Sequence, residues 1–184
     1  MKALETYHLQ ITGPSGSGKT YFSERLHELG YSAFDADKFD NLGNHVDEQG
    51  NIVEYNHEGG LDWFQKHQWT WDAKVLKEIL SQHERIIIFG GAVNEEETAT
   101  LFDRVFHLHL DQESILKNLR SSERTNPYGQ TEVQQQVAAA KIEEFYSHPP
   151  AGWIPLYSRD PLELVAEIEK HMGGTLKKDL IEVE

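Results

Sequence analysis

Gly13, Pro14, Ser15, Gly16, Ser17, Gly18, Lys19, Thr20 is the stretch on which the reading of this 184-residue chain turns. Its spacing is one glycine, four residues, then Gly-Lys-Thr, and each residue type follows from the task of holding a polyphosphate. Glycines let the backbone curl until successive N–H groups point inward, and the start of a helix adds positive potential. Lys19 supplies a point charge for the β and γ phosphates, and Thr20 offers a hydroxyl to Mg²⁺. A merely glycine-rich turn would not call for lysine followed by threonine. The expected cofactors are therefore ATP and Mg²⁺.

The residues on either side supply the setting that this loop needs. His8 to Thr12 is a short β-prone run, and Phe22, Leu26 and Leu29 stand at helical spacing after the loop. Gly30 stops that helix, and Tyr31 to Phe34 reads as a second strand that delivers Asp35 and Asp37 at its carboxyl end. From Asp40 to His57 the chain is rich in Asn, Asp, Gly and His, which predicts an irregular excursion or a small hairpin turning at Glu48 to Asn51. Leu61 to His67 and Asp72 to Gln82 read as helices, which makes the tryptophan-rich segment a helical hairpin.

Ile86, Ile87, Ile88 and Phe89 are apolar on both faces, as in a central strand of a helix-covered parallel sheet, and Gly90 and Gly91 end the run. Asn94 reads as the cap of an acidic helical turn, with a contact to an acceptor as the alternative. Further strands are expected at Arg104 to Leu110 and Trp153 to Tyr157, with helices at Ser114 to Ser122, Thr131 to Tyr146 and Pro161 to Met172. Five strands alternating with helices give a doubly wound α/β domain over residues 1–172, followed by a polar tail at 173–184 that is expected to fray.

Composition narrows the function. Lys and Arg number 17 against 31 Asp and Glu, a net charge of −14 that repels polyanions and argues against nucleic acid or an anionic membrane as partner. There is no cysteine, hence no disulfide or thiolate metal site, which suits a reducing cytoplasm. The residues from Met1 to Glu5 are too polar for a signal peptide, and no apolar stretch approaches a membrane span. A soluble protein is expected, with a small-molecule partner and an oligomeric state on which the sequence is silent. Ten histidines are present, yet none has metal-site spacing beside a carboxylate set, so imidazole metal binding is not expected.

Over most of the chain this arrangement resembles the P-loop kinases of small molecules and nucleotides, the superfamily of adenylate, shikimate and gluconate kinases. The resemblance implies a P-loop NTPase fold with a five-stranded parallel sheet, a small acceptor-binding insertion at 38–72 and a short lid at 111–130. Phe34, Asp35, Ala36, Asp37 looks like the Asp-x-Asp of shikimate kinases; carried over, Asp35 assists Mg²⁺ and Asp37 is the acceptor ligand or base. The chemistry of the residues agrees, because hard Mg²⁺ takes oxygen ligands and a nucleophilic hydroxyl needs a proton acceptor. The plainer alternative is that one aspartate caps the following helix while the other is solvated. The usual magnesium aspartate at the end of the third strand is absent, so Asp35 would have to substitute. Gly90 and Gly91 resemble the glycine-rich strand end that lets backbone amides approach the acceptor, although a tight turn explains them too.

Phosphoryl transfer needs cations beyond Lys19 and Mg²⁺. Arg120 and Arg124, four apart, look like the paired arginines of the superfamily's lid, with ordinary surface ion pairs as the alternative. Arg159 follows the last strand, where related kinases shape the adenine pocket, or is a surface charge. None of the six arginines falls between Leu26 and Glu84. Bidentate arginine is the usual grip on an acceptor phosphate, so its absence there favours a neutral, hydroxyl-bearing acceptor. Trp63, Trp69 and Trp71 could stack on a base or sugar but more often seal such a segment onto the core. The expected activity is transfer of the γ-phosphoryl group of ATP to a hydroxyl of a small metabolite or nucleoside. A nucleoside monophosphate kinase is the alternative, and an ATP-binding switch or accessory ATPase is the alternative from another class.

Overall fold

The computed structural model describes residues 2–56, 58–121 and 131–179. Its first elements are β1 (Ala3–Leu4), β2 (Tyr7–Thr12), α1 (Lys19–Glu28) and β3 (Ala33–Asp35). There follow β4 (Gly43–Val46), β5 (Ile52–Val53), α2 (Leu61–Lys66), β6 (Gln68–Trp71), α3 (Ala73–Ser81), β7 (Arg85–Phe89) and α4 (Glu95–Thr98). The last are β8 (Arg104–Leu108), α5 (Gln112–Leu119), α6 (Glu132–Ser147), β9 (Ile154–Leu156), α7 (Pro161–Met172) and β10 (Thr175–Leu176). No helix among the described residues is long and apolar enough to cross a membrane.

Five strands form one parallel sheet in the order β3-β7-β2-β8-β9. The central run reads as expected: Ile86, Ile87, Ile88 and Phe89 are each fully buried, because helices cover both faces. Period-two alternation divides the run between two cores. Ile87 and Phe89 join Leu9, Ile11, Phe22, Leu26 and Ile168 on the α1 and α7 face. Ile86 and Ile88 join Leu76, Leu80, Phe102 and Val105 on the other. The phosphate-binding stretch leaves the carboxyl end of β2, the central strand, where the chain order turns from one half of the sheet to the other. That is the place where open α/β sheets bind ligands.

The insertion keeps the two expected helices as α2 and α3, and adds a small sheet that was not expected. β4, β5 and β6 form a three-stranded antiparallel sheet in the order β5-β4-β6. The hairpin between β4 and β5 turns where expected, closed by Asp47 Oδ1, which accepts from the amides of Gln49 and Asn51. Residues 68–71, between the two helices, alternate two polar side chains with two tryptophans, a period of two that suits a strand. Trp71 is 3% exposed and enters the core, whereas Trp69 lies over Gly43, where a Cβ would stand 2.1 Å from its ring.

Asn94 does not cap α4 with its side chain. Its Oδ1 accepts from Trp71 N and its Nδ2 donates to Trp71 O, at 3.0 and 2.9 Å, so it continues the insertion sheet as a strand would. The tail also departs from expectation. β10 pairs in parallel with β1, Leu176 is 2% exposed in the α1/α7 core, and Asp179 accepts from Arg85 Nε and Nη2 at 2.8 and 2.6 Å. Leu176→Ala should therefore cost about 2–5 kcal/mol of unfolding free energy, the range for a buried leucine truncation. Denaturant melts of the variant measure it, and a frayed tail would give no change.

Candidate functional site

The loop after β2 curls as its glycines permit: φ is +149° at Gly13, +88° at Gly16 and +100° at Gly18. α1 starts at Lys19 with no side-chain cap, which leaves its first amides pointing into the loop's concavity. Ser17 is 2% exposed and its hydroxyl has no partner among the described residues. Uncapped amides and an orphaned hydroxyl fit a bound phosphate chain. Lys19 Nζ donates to the carbonyls of Gly13 and Pro14 at 2.6 and 3.0 Å, which folds its charge over the loop. Thr20 is exposed beside it.

α5 packs directly on the loop. A Cβ at Gly16 would stand 2.9 Å from the Ile115 carbonyl and 3.0 Å from Leu119 Cγ, so only glycine lets the helix come this close. Asn118 Nδ2 donates to Gly16 O at 2.9 Å and fixes the contact. Arg120 caps the C-terminus of α5 and lies at the surface with its Nε donating to Gln135 of α6 at 3.1 Å. Arg124 and the turn at Asn126 to Gly129 lie outside the described residues. Arg159, exposed after β9, donates from Nη2 to the His109 carbonyl, and the ring of Tyr157 lies 5.1 Å from that of His109.

Asp35 and Asp37 arrive at the same end of the sheet, since β3 ends in register with Phe89 of β7. Asp35 is 7% exposed, and its Oδ1 accepts from Asp37 N at 3.1 Å, which caps a short 3-10 turn over 36–38. The capping alternative thus holds for Asp35 through one oxygen, and Asp37 is exposed, as that alternative has it. Neighbouring atoms still remove part of the water around the Asp37 carboxyl. That desolvation, with the Asp35 charge next, raises its carboxyl above the usual range, and the positive charge of Lys19 works against the rise. Asp35 and Asp37 therefore share the end of the sheet at which the loop carrying Lys19 leaves β2. Among the described residues no three acidic or histidine side chains form a cage for a metal. A divalent ion at Thr20 and Asp35 would take its remaining ligands from phosphate and water, which suits Mg²⁺.

The two glycines after β7 behave differently from each other. A Cβ at Gly90 would stand 2.4 Å from Ala36 Cβ and 2.7 Å from Trp71, so this buried glycine makes room for packing. The expectation that Gly90 opens its backbone to an acceptor is corrected: its carbonyl accepts from Gln10 Nε2 and its Cα is covered. Gly91 is partly exposed, and there a Cβ would meet Glu95 Oε1 at 2.1 Å and Thr12 Oγ1 at 2.6 Å.

Sequence reading missed Glu95. Among three consecutive glutamates it reads as one more acidic residue at a helix start, and nothing local marks it as 9% exposed. Its Oε1 accepts from Thr12 Oγ1 at 2.5 Å and from Ala92 N at 3.1 Å. Burial pushes its carboxyl up to about 7, and the Thr12 bond, the Lys19 charge and the Ala92 amide hold it from rising further. Asn118 was missed as well, because a contact between α5 and the loop leaves no trace in spacing.

Residues 10–139 match the model of a family described as AAA domain. No curated protein sequence matches the chain. Among solved structures the fold is similar to that of shikimate kinase from Acinetobacter baumannii in complex with shikimate, with a TM-score of 0.57 and 18% identity over 91% of this chain and 94% of that one. It is similar to shikimate kinase from Bacteroides thetaiotaomicron, with a TM-score of 0.56 and 15% identity over 90% and 97% of the two chains. A gluconokinase from Sinorhizobium meliloti 1021 follows at a TM-score of 0.51 and 14% identity over 92% and 97%. At these identities the likeness is one of fold.

The Glu95 environment has a consequence for stability. The native state favours the protonated carboxyl, whose affinity lies at about 7, over an ordinary carboxyl at 4.5 in the unfolded chain. Between those values the native state binds more protons than the unfolded one, so stability falls as pH rises, and the loss is complete above about pH 7. Glu95→Gln should remove that slope, gaining on the order of 3 kcal/mol over the wild type at pH 8 relative to pH 5. Thermal melts of both nucleotide-free proteins from pH 5 to 8 check this, and parallel curves would contradict it.

Proposed function

The chain belongs to the AAA domain family and has the fold of the P-loop kinases, and on that premise we propose that it is an ATP- and Mg²⁺-dependent phosphotransferase acting on a hydroxyl of a small metabolite or nucleoside. The observation that supports this reading is that β3 delivers Asp35 and Asp37 at the carboxyl end of the sheet, the end at which the glycine loop leaves β2. A loop that only hydrolysed ATP would have no need of a second carboxylate at that end of the sheet.

In this reading the loop amides and Lys19 grip the phosphates of ATP, and α5 fixes the loop through Gly16 and Asn118. Thr20 and Asp35 are the oxygen donors that would hold Mg²⁺, whose charge, when bound, offsets that of the β and γ phosphates. Asp37 aligns the acceptor hydroxyl and takes its proton, a task helped by a carboxyl raised towards neutrality. The Gly91 backbone borders the acceptor site. Arg120, on leaving Gln135, and Arg124 supply positive charge to the transferring group. Arg159 and Tyr157 flank the base. The insertion at 38–72 covers the acceptor, and the lack of arginine between Leu26 and Glu84 favours an acceptor without phosphate.

Incubation with ATP and Mg²⁺ against nucleosides, nucleoside monophosphates, sugars and hydroxy acids tests the reading through ADP formation. Turnover that depends on a hydroxylated acceptor is expected. Slow ADP release at one rate whatever is added would replace the kinase by an ATPase, and turnover confined to monophosphates would make it a nucleotide kinase. Asp37→Asn should lower kcat by about 10²- to 10⁴-fold, the usual worth of a positioned proton acceptor, and leave ATP affinity unchanged. Lys19→Ala should abolish ATP binding measured by calorimetry.

A further inference from the structure

Glu95 is the buried charge-bearing group that the mechanism above does not use. It starts α4, six residues beyond the end of β7, yet its carboxyl folds back over Gly91 to the carboxyl end of β2. There it is held from two directions, by the hydroxyl of Thr12, the residue immediately before the phosphate loop, and by the amide of Ala92. Both of the hydrogen bonds it makes among the described residues go to Oε1. The anchored oxygen thus leaves Oε2 for a ligand. Lys19, the loop's own lysine, is among the charges that act on it.

A carboxylate is a costly choice for this place if its only task is to accept two hydrogen bonds. Glutamine has the same length, would accept the same bonds, and carries no charge to desolvate. What glutamine cannot do is attract a cation. β7, which neighbours β2, ends at Phe89, is followed by Gly90 and Gly91, and offers no acidic side chain of its own. Glu95 fills that space from another element, and Gly91 is the residue whose missing side chain admits it.

We propose that Glu95 is the carboxylate that orders the water shell of the Mg²⁺ accompanying ATP, as partner to Thr20 and Asp35, with Thr12 and Gly91 as its holders. The inference rests on the ATP and Mg²⁺ reading above. It makes Glu95 a positioning residue: its charge acts on the cation through water, and its effect belongs to the metal-dependent part of ATP affinity.

Calorimetric titration of ATP with saturating Mg²⁺, and with a chelator and no Mg²⁺, separates the two contributions for wild type and Glu95→Gln. The ratio of the two affinities should fall by about tenfold or more in Glu95→Gln, the usual cost of losing an outer-shell partner of a metal, while metal-free ATP affinity stays equal or rises. Thr12→Val, which frees Oε1 but keeps the charge, should shift the ratio the same way by less; it also serves if Glu95→Gln does not fold. An unchanged ratio in a folded Glu95→Gln overturns the proposal, as does an equal loss with and without Mg²⁺, which marks a structural role. A wild type that binds no ATP under either condition overturns the functional reading itself, and this proposal with it. A wild type that gains from Mg²⁺ while the variants gain equally overturns this proposal alone.

Discussion

The amides at the start of α1 are the constraint from which the rest of the site follows. The first turn of a helix has N–H groups that its own backbone cannot satisfy, and here no side chain caps them. With the curled loop in front and the Ser17 hydroxyl without a partner among the described residues, the concavity suits a ligand that accepts hydrogen bonds and carries negative charge. The protein as a whole is strongly acidic, so this local positive field is what lets a polyphosphate approach.

Once the loop is fixed, its neighbours have narrow roles. β2 must be central, because the loop has to emerge where strands lie on both sides, and its partners β7 and β8 supply them. α5 must come close, and Gly16 with Asn118 lets it do so. The ends of β3 and β7 must deliver carboxylates without blocking the cleft. Asp35 does this from the strand itself, while Glu95 does it from the following helix across a glycine. The insertion is bound to the same region by Asn94 and by the Val93 amide, which donates to Trp69 O at 2.8 Å. The insertion and the glycine loop therefore share one framework.

The aromatic residues of the insertion show how far composition can be read. Three tryptophans invite a stacking role, yet Trp71 is core, Trp69 covers Gly43, and Trp63 stacks on His67 with centroids 4.6 Å apart. His45 stacks likewise on Tyr55 at 4.9 Å. In a segment of about 35 residues without a core of its own, flat rings packed on one another supply the apolar contact that a small sheet needs.

The sequence by itself determined the loop, the order of strands and helices, the pairing of Asp35 with Asp37 and the lack of arginine in the insertion. These are properties of spacing and period, which neighbouring residues impose on one another regardless of what lies opposite. Tertiary structure decided that Gly90 serves packing while Gly91 admits a carboxylate, that Asn94 extends a sheet, and that the tail runs as β10 beside β1. It also decided that one glutamate of three is buried against Thr12. Each of these depends on which side chains meet across elements distant in the chain, and a meeting of that kind leaves no period in the sequence to be read.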